Sequence, residues 1–236
     1  MPGHTRRAGE HHLVFVRKGR NGDPVTDALP SPGSSAYWER RYRKGRNSGP
    51  GSYSRLARFK ADTVNRLVAE DDIFSVIEFG CGDGNQLSLM QYKRYCGIDV
   101  SPTAIANCRR IFAADPTKRF LLPGELAQNE RFDCSISLDV IFHLLEDDVF
   151  EHYMEDLFRF ATRRVIVYSS DCDDRTFEMR HGVLPAPHVR HRPFTRWIER
   201  NAPHWRALQV IANDYPFDVS DQNNTSFADF HVYGPA

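Results

Sequence analysis

The sequence has 236 residues, with 31 Lys and Arg against 31 Asp and Glu and a hydrophobic fraction of 41%. This length and composition indicate an ordinary globular protein of one large domain, alone or with an appendage. No apolar run approaches the ~20 residues of a membrane-spanning helix, which excludes a spanning protein. The N-terminus lacks the apolar core and cleavage site of a secretory signal, so we expect a cytoplasmic protein without membrane contacts.

The balanced net charge conceals a gradient along the chain. Residues 1–60 carry 13 Lys and Arg against four Asp and Glu, a net charge of +9, and residues 61–236 carry the opposite charge. A basic front of this kind suits nucleic acid, an acidic substrate or the protein's own acidic body. For residues 1–35, which end in a Pro-, Gly- and Ser-rich linker over 21–35, a solvated and partly disordered tail is an equal alternative.

The cysteines are five in number and include no C-x-x-C pair, which is neither a disulfide framework nor a zinc site by spacing. We therefore expect reduced, mostly buried thiols and no metal site. The cysteines are Cys81, Cys96, Cys108, Cys134 and Cys172.

Strands alternate with helices from residue 73 onwards. The predicted strands span residues 73–79, 95–100, 119–122, 132–138, 164–169, 208–212 and 227–233. The predicted helices span residues 36–42, a stretch that begins at 53, and residues 102–113, 147–160 and 194–200. This alternation predicts an α/β fold with a mostly parallel sheet covered by helices on both faces. In such sheets the ligand lies beyond the carboxyl ends of the strands, so the residues after each strand are the candidates for a site.

A glycine-rich turn, EFGCGDGN, follows the first of these strands over residues 78–85. Gly80, Gly82 and Gly84 form G-x-G-x-G, which lets the backbone turn sharply and approach a ligand. The dinucleotide fingerprint G-x-G-x-x-G places its last glycine one residue later. Glu78 stands two residues before the first glycine, where a carboxylate is unhelpful beside a pyrophosphate but suits a cationic ligand.

An acidic residue, Asp99, stands at the end of the second strand, fifteen residues after Gly84. A carboxylate at this position can accept hydrogen bonds from both ribose hydroxyls of an adenosine. The glycine pattern alone is weak evidence for a nucleoside site. Together with Glu78 and Asp99 at consecutive strand ends, it indicates a nucleoside-binding sheet.

Three segments carry a family resemblance: VIEFGCGDG at 76–84, GIDVSPTAI at 97–105 and RFDCSISLDVIFHL at 131–144. Over about residues 36–236 the chain resembles the class I S-adenosylmethionine-dependent methyltransferases. The resemblance implies a three-layer, doubly wound, seven-stranded Rossmann-like sheet with an antiparallel closing strand, over residues 73–236. It also implies S-adenosyl-L-methionine as the cofactor.

The same resemblance implies the cofactor contacts. The glycine loop would hold the methionyl part, Asp99 the ribose, and Glu125, after the third strand, the adenine amine. The implied contacts in the body of the domain are Glu78, Gly80, Cys81, Gly82, Asp99, Val100, Glu125 and Leu138.

The segment over residues 36–72 looks like a helical lid found in a bacterial subgroup of these enzymes. That subgroup includes proteins from polysaccharide and natural-product gene sets, which suggests a small-molecule acceptor. Trp38 and Tyr42 would close over the cofactor and exclude water. In the alternative interpretation they only pack the N-terminal helix onto the sheet.

Candidate catalytic residues follow the fourth and fifth strands. Asp139 and His143 stand directly after the fourth strand and suit a general base, although a histidine among apolar residues is often a core residue. His188 and His191 lie in the segment HVRHRPFT, which would present a cationic surface to an anionic or sugar-phosphate acceptor. The alternative for that segment is a solvated basic loop.

These observations favour a methyltransferase that acts on oxygen or nitrogen of a sugar, nucleoside or natural-product intermediate. An RNA methyltransferase that uses the basic front is the second hypothesis, although the acidic body and the lack of an added RNA-binding module argue against nucleic acid. A non-catalytic cofactor-binding subunit is the third. The sequence leaves a homodimer open.

Overall fold

The computed structural model describes three stretches of the chain, residues 17–18, 24–25 and 33–236. The chain divides into two units, Met1–Ser31 and Pro32–Ala236. In the first unit, β1 (Arg17–Lys18) pairs antiparallel with β2 (Pro24–Val25). The predicted basic tail and linker, residues 1–35, fall mostly outside the described residues and stay predictions.

The second unit contains all remaining elements. Its helices are α1 (Ser34–Arg43), α2 (Ser54–Glu70), α3 (Pro102–Ile111), α4 (Asp147–Arg159), α5 (Asp174–His181) and α6 (Phe194–Asn201). Its strands are β3 (Ser75–Phe79), β4 (Arg94–Ile98), β5 (Lys118–Leu121), β6 (Phe132–Leu138), β7 (Ala161–Ser169), β8 (Trp205–Ile211) and β9 (Asp229–Pro235).

The seven strands form one sheet in the order β5-β4-β3-β6-β7-β9-β8. Neighbouring strands from β5 to β7 are parallel, and β9 runs antiparallel to both β7 and β8. A single strand is therefore reversed, because β8 points in the same direction as the rest. This arrangement confirms the predicted doubly wound sheet with an antiparallel closing strand.

Two apolar layers cover the faces of the sheet. Successive residues of β3 point to opposite faces, so Val76 packs in the layer under α2 and α3 and Ile77 in the layer under α4 and α6. Both strand residues are fully buried. The three-layer architecture follows from this burial on both faces, which is typical of parallel sheets.

Two of the differences from the sequence prediction concern helix α5 and strand β8. Helix α5 was not predicted, because its composition is polar and its ends depend on local caps: Asp173 accepts a hydrogen bond from the backbone N of Thr176 at 2.7 Å, and Gly182 ends the helix at φ 68°. Strand β8 is longer than the predicted 208–212. Its residues from Arg206 to Val210 are all exposed, so they carry no alternating pattern that marks its start.

All five cysteines are free and buried in the described structure.

Candidate active site

A cavity of about 870 Å³ lies at the carboxyl ends of β3, β4 and β6. Its volume is in the range of small-molecule and cofactor sites. The cavity occupies the position at which parallel sheets bind ligands, where the strand order changes direction between β3 and β6. Nine of the ten residues predicted to contact the cofactor line it: Trp38, Tyr42, Glu78, Gly80, Cys81, Gly82, Asp99, Val100 and Leu138.

The glycine loop after β3 is tightly enclosed. Gly80 has φ 84°, and a Cβ atom built on it would stand 2.4 Å from Cγ2 of Val140. Gly82 has φ 57°, and its Cβ atom would stand 2.4 Å from Oγ of Ser48. The backbone N atoms of Gly80 and Cys81 both donate to the carbonyl oxygen of Ile98, at 2.7 and 3.0 Å. The loop therefore has one conformation, which only glycine permits at these two positions.

Asp99 follows β4 and joins the glycine loop to the start of α3. Its Oδ2 atom accepts from the backbone N of Gly82 and its Oδ1 atom from the backbone N of Ser101, both at 2.9 Å. Burial raises the pKa of Asp99 to about 6, although these two hydrogen bonds act in the opposite direction. Each carboxylate oxygen can accept more than one hydrogen bond, so both keep the capacity to accept from ribose hydroxyls.

Glu78 lies at the end of β3 and is only 3% exposed. The hydroxyl of Tyr95 donates to its Oε2 atom at 2.6 Å. Burial raises the pKa of Glu78 to about 7, against opposing effects from Tyr95 and the ammonium of Lys60. A cationic ligand in the cavity would favour the ionised carboxylate and lower this pKa.

Helix α1 is attached to the body at both sides of the cavity. It begins at Ser34, inside the predicted tail, and the Ser34 N and Oγ atoms donate to the two carboxylate oxygens of Glu146 at 2.9 and 2.6 Å. Further along the helix, Glu39 accepts from Oγ of Ser101 at 2.6 Å and from Oγ1 of Thr103 at 2.8 Å. The helix thus bridges the N-terminal ends of α3 and α4.

The loop after α1 is held by Asp83 of the glycine loop. Ser48 N donates to Oδ2 of Asp83 at 2.7 Å, and Asp83 N donates to Oγ of Ser48 at 3.0 Å. Tyr53 donates to the same carboxylate at 2.9 Å, and the hydroxyls of Tyr42 and Ser48 lie 3.0 Å apart. The segment over residues 36–72 is therefore fastened to the part of the chain that forms the cavity floor.

The two candidate bases after β6 both line the cavity. Nδ1 of His143 lies 2.9 Å from the carbonyl oxygen of His188, and because a carbonyl only accepts, Nδ1 carries the proton of the neutral ring. Burial lowers the pKa of His143 to about 3. A ring with so low a pKa binds a proton weakly. Asp139, the other candidate, has its carboxylate paired with the ammonium of Lys60.

The other two candidate histidines do not line the cavity. His188 stacks between His143 and Tyr37, with ring centroids 5.4 and 4.8 Å away. His191 is 3% exposed and stacks on Phe177 at 3.9 Å, and burial lowers its pKa to about 4. These packing roles argue against the catalytic roles predicted for His188 and His191.

The arginines beside these histidines are also engaged within the protein. Arg190 and Arg192 both pair with Oδ1 of Asp147 at the start of α4, at 3.0 and 2.6 Å. Arg192 also donates to the carbonyl oxygens of Leu144 and Leu145. The cationic surface that the sequence predicted for an anionic acceptor is therefore used to hold this loop against α4.

Glu125 is the one predicted cofactor contact outside the cavity wall. Its carboxylate accepts from Nη2 of Arg109 at 2.9 Å and from the backbone N of Leu122 at 2.8 Å. Its neighbours Pro123 and Leu126 line the cavity instead. This placement argues against the adenine contact predicted for Glu125, because its side chain turns outward to the arginine.

Lys60 and Gln86 are among the cavity residues that the sequence analysis missed. Lys60 is fully buried in α2, and Gln86 is 6% exposed just beyond the glycine loop. A signal for Lys60 exists in retrospect: it stands four residues after Leu56 and four before Val64, in phase with the apolar stripe of α2. Gln86 carries no such signal.

The residues present fit S-adenosylmethionine. The glycine loop leaves backbone exposed to a ligand, Asp99 offers ribose acceptors, Glu78 offers negative charge to a cation, and the amide oxygen of Gln86 is buried without a hydrogen-bond partner in the described structure. The sheet order and this site together define a class I S-adenosylmethionine-dependent methyltransferase. The family model described as "methyltransferase domain" matches residues 52–219, and the chain belongs to this family. The protein is therefore an enzyme with S-adenosylmethionine as its cofactor.

Solved structures share the fold at low sequence identity. N-methyltransferase NodS from Bradyrhizobium japonicum WM9, in complex with S-adenosyl-L-homocysteine, has a TM-score of 0.62 and 15% identity, over 86% of this chain and 99% of that one. Magnesium protoporphyrin IX methyltransferase from Synechocystis PCC 6803 has a TM-score of 0.57 and 14% identity, over 84% and 94%. The methyltransferase domain of bacterial CtHen1-C has a TM-score of 0.57 and 18% identity, over 76% and 99%. No curated protein matches the sequence.

Among the described residues, no helix is long and apolar enough to cross a membrane. They contain no group of three or more His, Cys, Asp and Glu side chains placed to hold a metal ion.

Proposed function

We propose that this methyltransferase acts on oxygen or nitrogen of a small molecule that is uncharged or cationic. The observation that carries the proposal is the charge of the cavity wall beneath α1. Eight carboxylate residues line it, against Lys60 as the one Lys or Arg among the described lining residues. The eight are Glu39, Glu78, Asp83, Asp99, Asp139, Glu146, Asp148 and Asp156.

An acidic wall disfavours a phosphorylated acceptor. Like charges in a cavity of low dielectric repel strongly, and the nearest arginines of the 188–195 loop are already paired with Asp147. The sequence-based expectation of an anionic or sugar-phosphate acceptor is therefore replaced by a sugar, amine or nucleoside without a phosphate.

S-adenosylmethionine, when bound, supplies a methyl group on a positively charged sulfur. The chain's part is to hold that group and to exclude water from it. We assign binding to the glycine loop, Glu78 and Asp99, and we assign water exclusion to Trp38 and Tyr42 of the lid. The attachment of α1 through Ser34 and Glu39 supports a lid that is closed in this structure.

The proposal is tested first by binding and then by transfer. Calorimetry with S-adenosylhomocysteine should show binding in the micromolar range for the wild-type protein. Asp99→Ala should weaken it roughly 10- to 100-fold, because a hydrogen-bonded charged acceptor contributes about 1.5–3 kcal/mol. A folded protein that binds neither S-adenosylmethionine nor S-adenosylhomocysteine would overturn the cofactor site.

Transfer of a tritiated methyl group then decides the acceptor class. We expect labelling of an aminosugar or nucleoside in preference to its own phosphate ester. Preferential labelling of the phosphate esters would contradict the charge argument. Labelling of RNA that weakens by orders of magnitude between ~50 and 200 mM salt would identify an RNA methyltransferase instead.

A further inference from the structure

Lys60 is a cation in the apolar face of a helix. Its side chain has no exposed surface, and it lies on α2 between the buried residues Leu56 and Val64. Removing an ammonium from water is costly unless a charged partner compensates it. Packing alone does not account for a lysine at this position. The residue that pairs with Lys60 therefore indicates what the lysine does.

That partner is Asp139, whose Oδ2 atom lies 2.5 Å from Nζ of Lys60. Asp139 is the first residue after β6 and has φ 59°, a left-handed conformation that is rare outside glycine. Its backbone N donates to the carbonyl oxygen of Tyr168 at 2.9 Å. On another side, a Cβ atom on Gly51 would stand 2.6 Å from Oδ2. The carboxylate is thus fixed by α2, β7 and the 50–52 turn together.

The second carboxylate oxygen is free to meet a ligand. Among the described residues, Oδ1 of Asp139 has no hydrogen-bond partner, whereas Oδ2 is bound by Lys60. A second acceptor in the cavity wall is also unmatched: Gln86 donates to the carbonyl oxygen of Ala57, but its Oε1 atom is buried without a partner. Both atoms accept hydrogen bonds, so a ligand that completes them must donate.

We infer that Asp139 and Lys60 form the acceptor subsite, in which Asp139 takes the proton of a hydroxyl or amine acceptor and Lys60 is the positioning residue. This inference rests on the proposed function and adds to it the group that receives the proton. The acceptor must donate a hydrogen bond at the reacting atom, which excludes carboxylate and thioether nucleophiles.

The bonds, electrons and proton of the methyl transfer can be accounted for with Asp139 and Lys60 alone. A lone pair on the acceptor oxygen or nitrogen forms the bond to the methyl carbon, and the carbon–sulfur bond breaks with its electrons remaining on sulfur. The acceptor proton passes to Oδ1 of Asp139. Lys60 keeps Oδ2 occupied, so the same oxygen of the carboxylate faces each acceptor.

Sinefungin provides a test that needs no known acceptor. In this analogue a carbon that bears an amine replaces the methyl-bearing sulfur, so the amine would donate to Asp139. We expect the wild-type protein to bind sinefungin more tightly than S-adenosylhomocysteine. Asp139→Asn should lower this ratio of affinities, the sinefungin preference, on the order of tenfold, while the affinity for S-adenosylhomocysteine stays the same. Asp62→Asn, which removes an exposed carboxylate of α2 that does not line the cavity, is the matched control and should leave the ratio unchanged.

A measurement other than stability is needed to show that Lys60 positions Asp139. Lys60→Met leaves the partly buried carboxylate of Asp139 unpaired and should lower both the melting temperature and the preference for sinefungin. The double variant Lys60→Met with Asp139→Asn should regain melting temperature but not the preference. A Lys60→Met variant that loses melting temperature but keeps the preference for sinefungin would make Lys60 a structural residue only.

The remaining outcomes separate the two hypotheses. Absent binding of S-adenosylhomocysteine to the folded wild type contradicts the proposed function itself. Normal binding with a sinefungin preference that Asp139→Asn leaves intact, or that Asp62→Asn lowers equally, overturns the acceptor subsite while the methyltransferase function stands.

Discussion

The two halves of the cavity are specified in different ways. The proposed cofactor half is formed by one short segment: the glycine loop after β3 and the carboxylate after β4 come from adjacent strand ends within residues 78–99. The proposed acceptor half depends on a side-chain pair, Lys60 and Asp139, that joins α2 to the end of β6. The contrast suggests that a fold can keep its cofactor half as a local motif, while substitutions of single side chains far apart in the chain change its acceptor half.

The largest effect is expected where the backbone leaves no space. Gly80→Ala places a Cβ atom against Val140 at a positive φ, and should lower the free energy of unfolding by about 2–4 kcal/mol. We expect S-adenosylhomocysteine binding to fall with it, as measured by calorimetry. Gly124→Ala, whose Cβ atom would meet nothing within 4 Å, is the control and should change stability by less than about 0.5 kcal/mol. If both variants lost the same free energy of unfolding, close packing around the backbone would no longer distinguish the cofactor half of the cavity from the acceptor half.

A smaller effect should follow pH. Because burial raises the pKa of Glu78 to about 7, the carboxyl is mostly protonated at pH 5.5 and mostly ionised at pH 7.5. A cation favours the ionised form, so binding of S-adenosylmethionine releases a proton, and its affinity should rise about tenfold over that range. Asp99, with a pKa of about 6, contributes in the same direction at the acidic end.

Glu78→Gln separates the two carboxyl groups. It should flatten the rise above pH 6.5 and abolish most of the proton release, as measured by calorimetry in buffers of different ionisation enthalpy. An affinity of the wild-type protein that is independent of pH would mean that Glu78 does not face the cationic part of the cofactor.

The smallest effect concerns the lid that covers both halves. A hydrogen bond from Oγ of Ser101 holds the pKa of Glu39 below its ordinary value, so the ionised carboxylate is the form that fastens α1. Glu39→Gln should speed release of S-adenosylhomocysteine about three- to tenfold in stopped-flow fluorescence of Trp38. Glu70→Gln, which alters an exposed pair with Arg66 on α2, should leave the release rate unchanged.

The cofactor half could be predicted from sequence because its signals are local. The glycines, Glu78 and Asp99 lie at strand ends, and a strand end can be located from its apolar run. Leu138, the last residue of β6, and Asp139, which follows it, shared this advantage. Seven of the nine predicted contacts on the cavity wall lie at such strand ends, and the other two, Trp38 and Tyr42, lie in α1.

The rest of the site depended on tertiary contacts. Glu125 was placed correctly along the chain, but Arg109 of α3 turns its carboxylate away from the cavity. His188 and His191 follow β7 as predicted, yet stacking on His143 and Phe177 commits both rings to packing. Lys60 stands among apolar residues of α2, where the apolar pattern gave no reason to expect a partner 79 residues away.

The position of β9 bears on the order in which the protein assembles. Strand β8 meets the sheet only through β9, which follows it in the chain and lies between it and β7. During synthesis, β3 to β7 can therefore pair and form the cavity floor before β8 has any place to dock. The sheet gains its last two strands together, once residues 229–235 have left the ribosome, and loss of those residues would detach β8 as well.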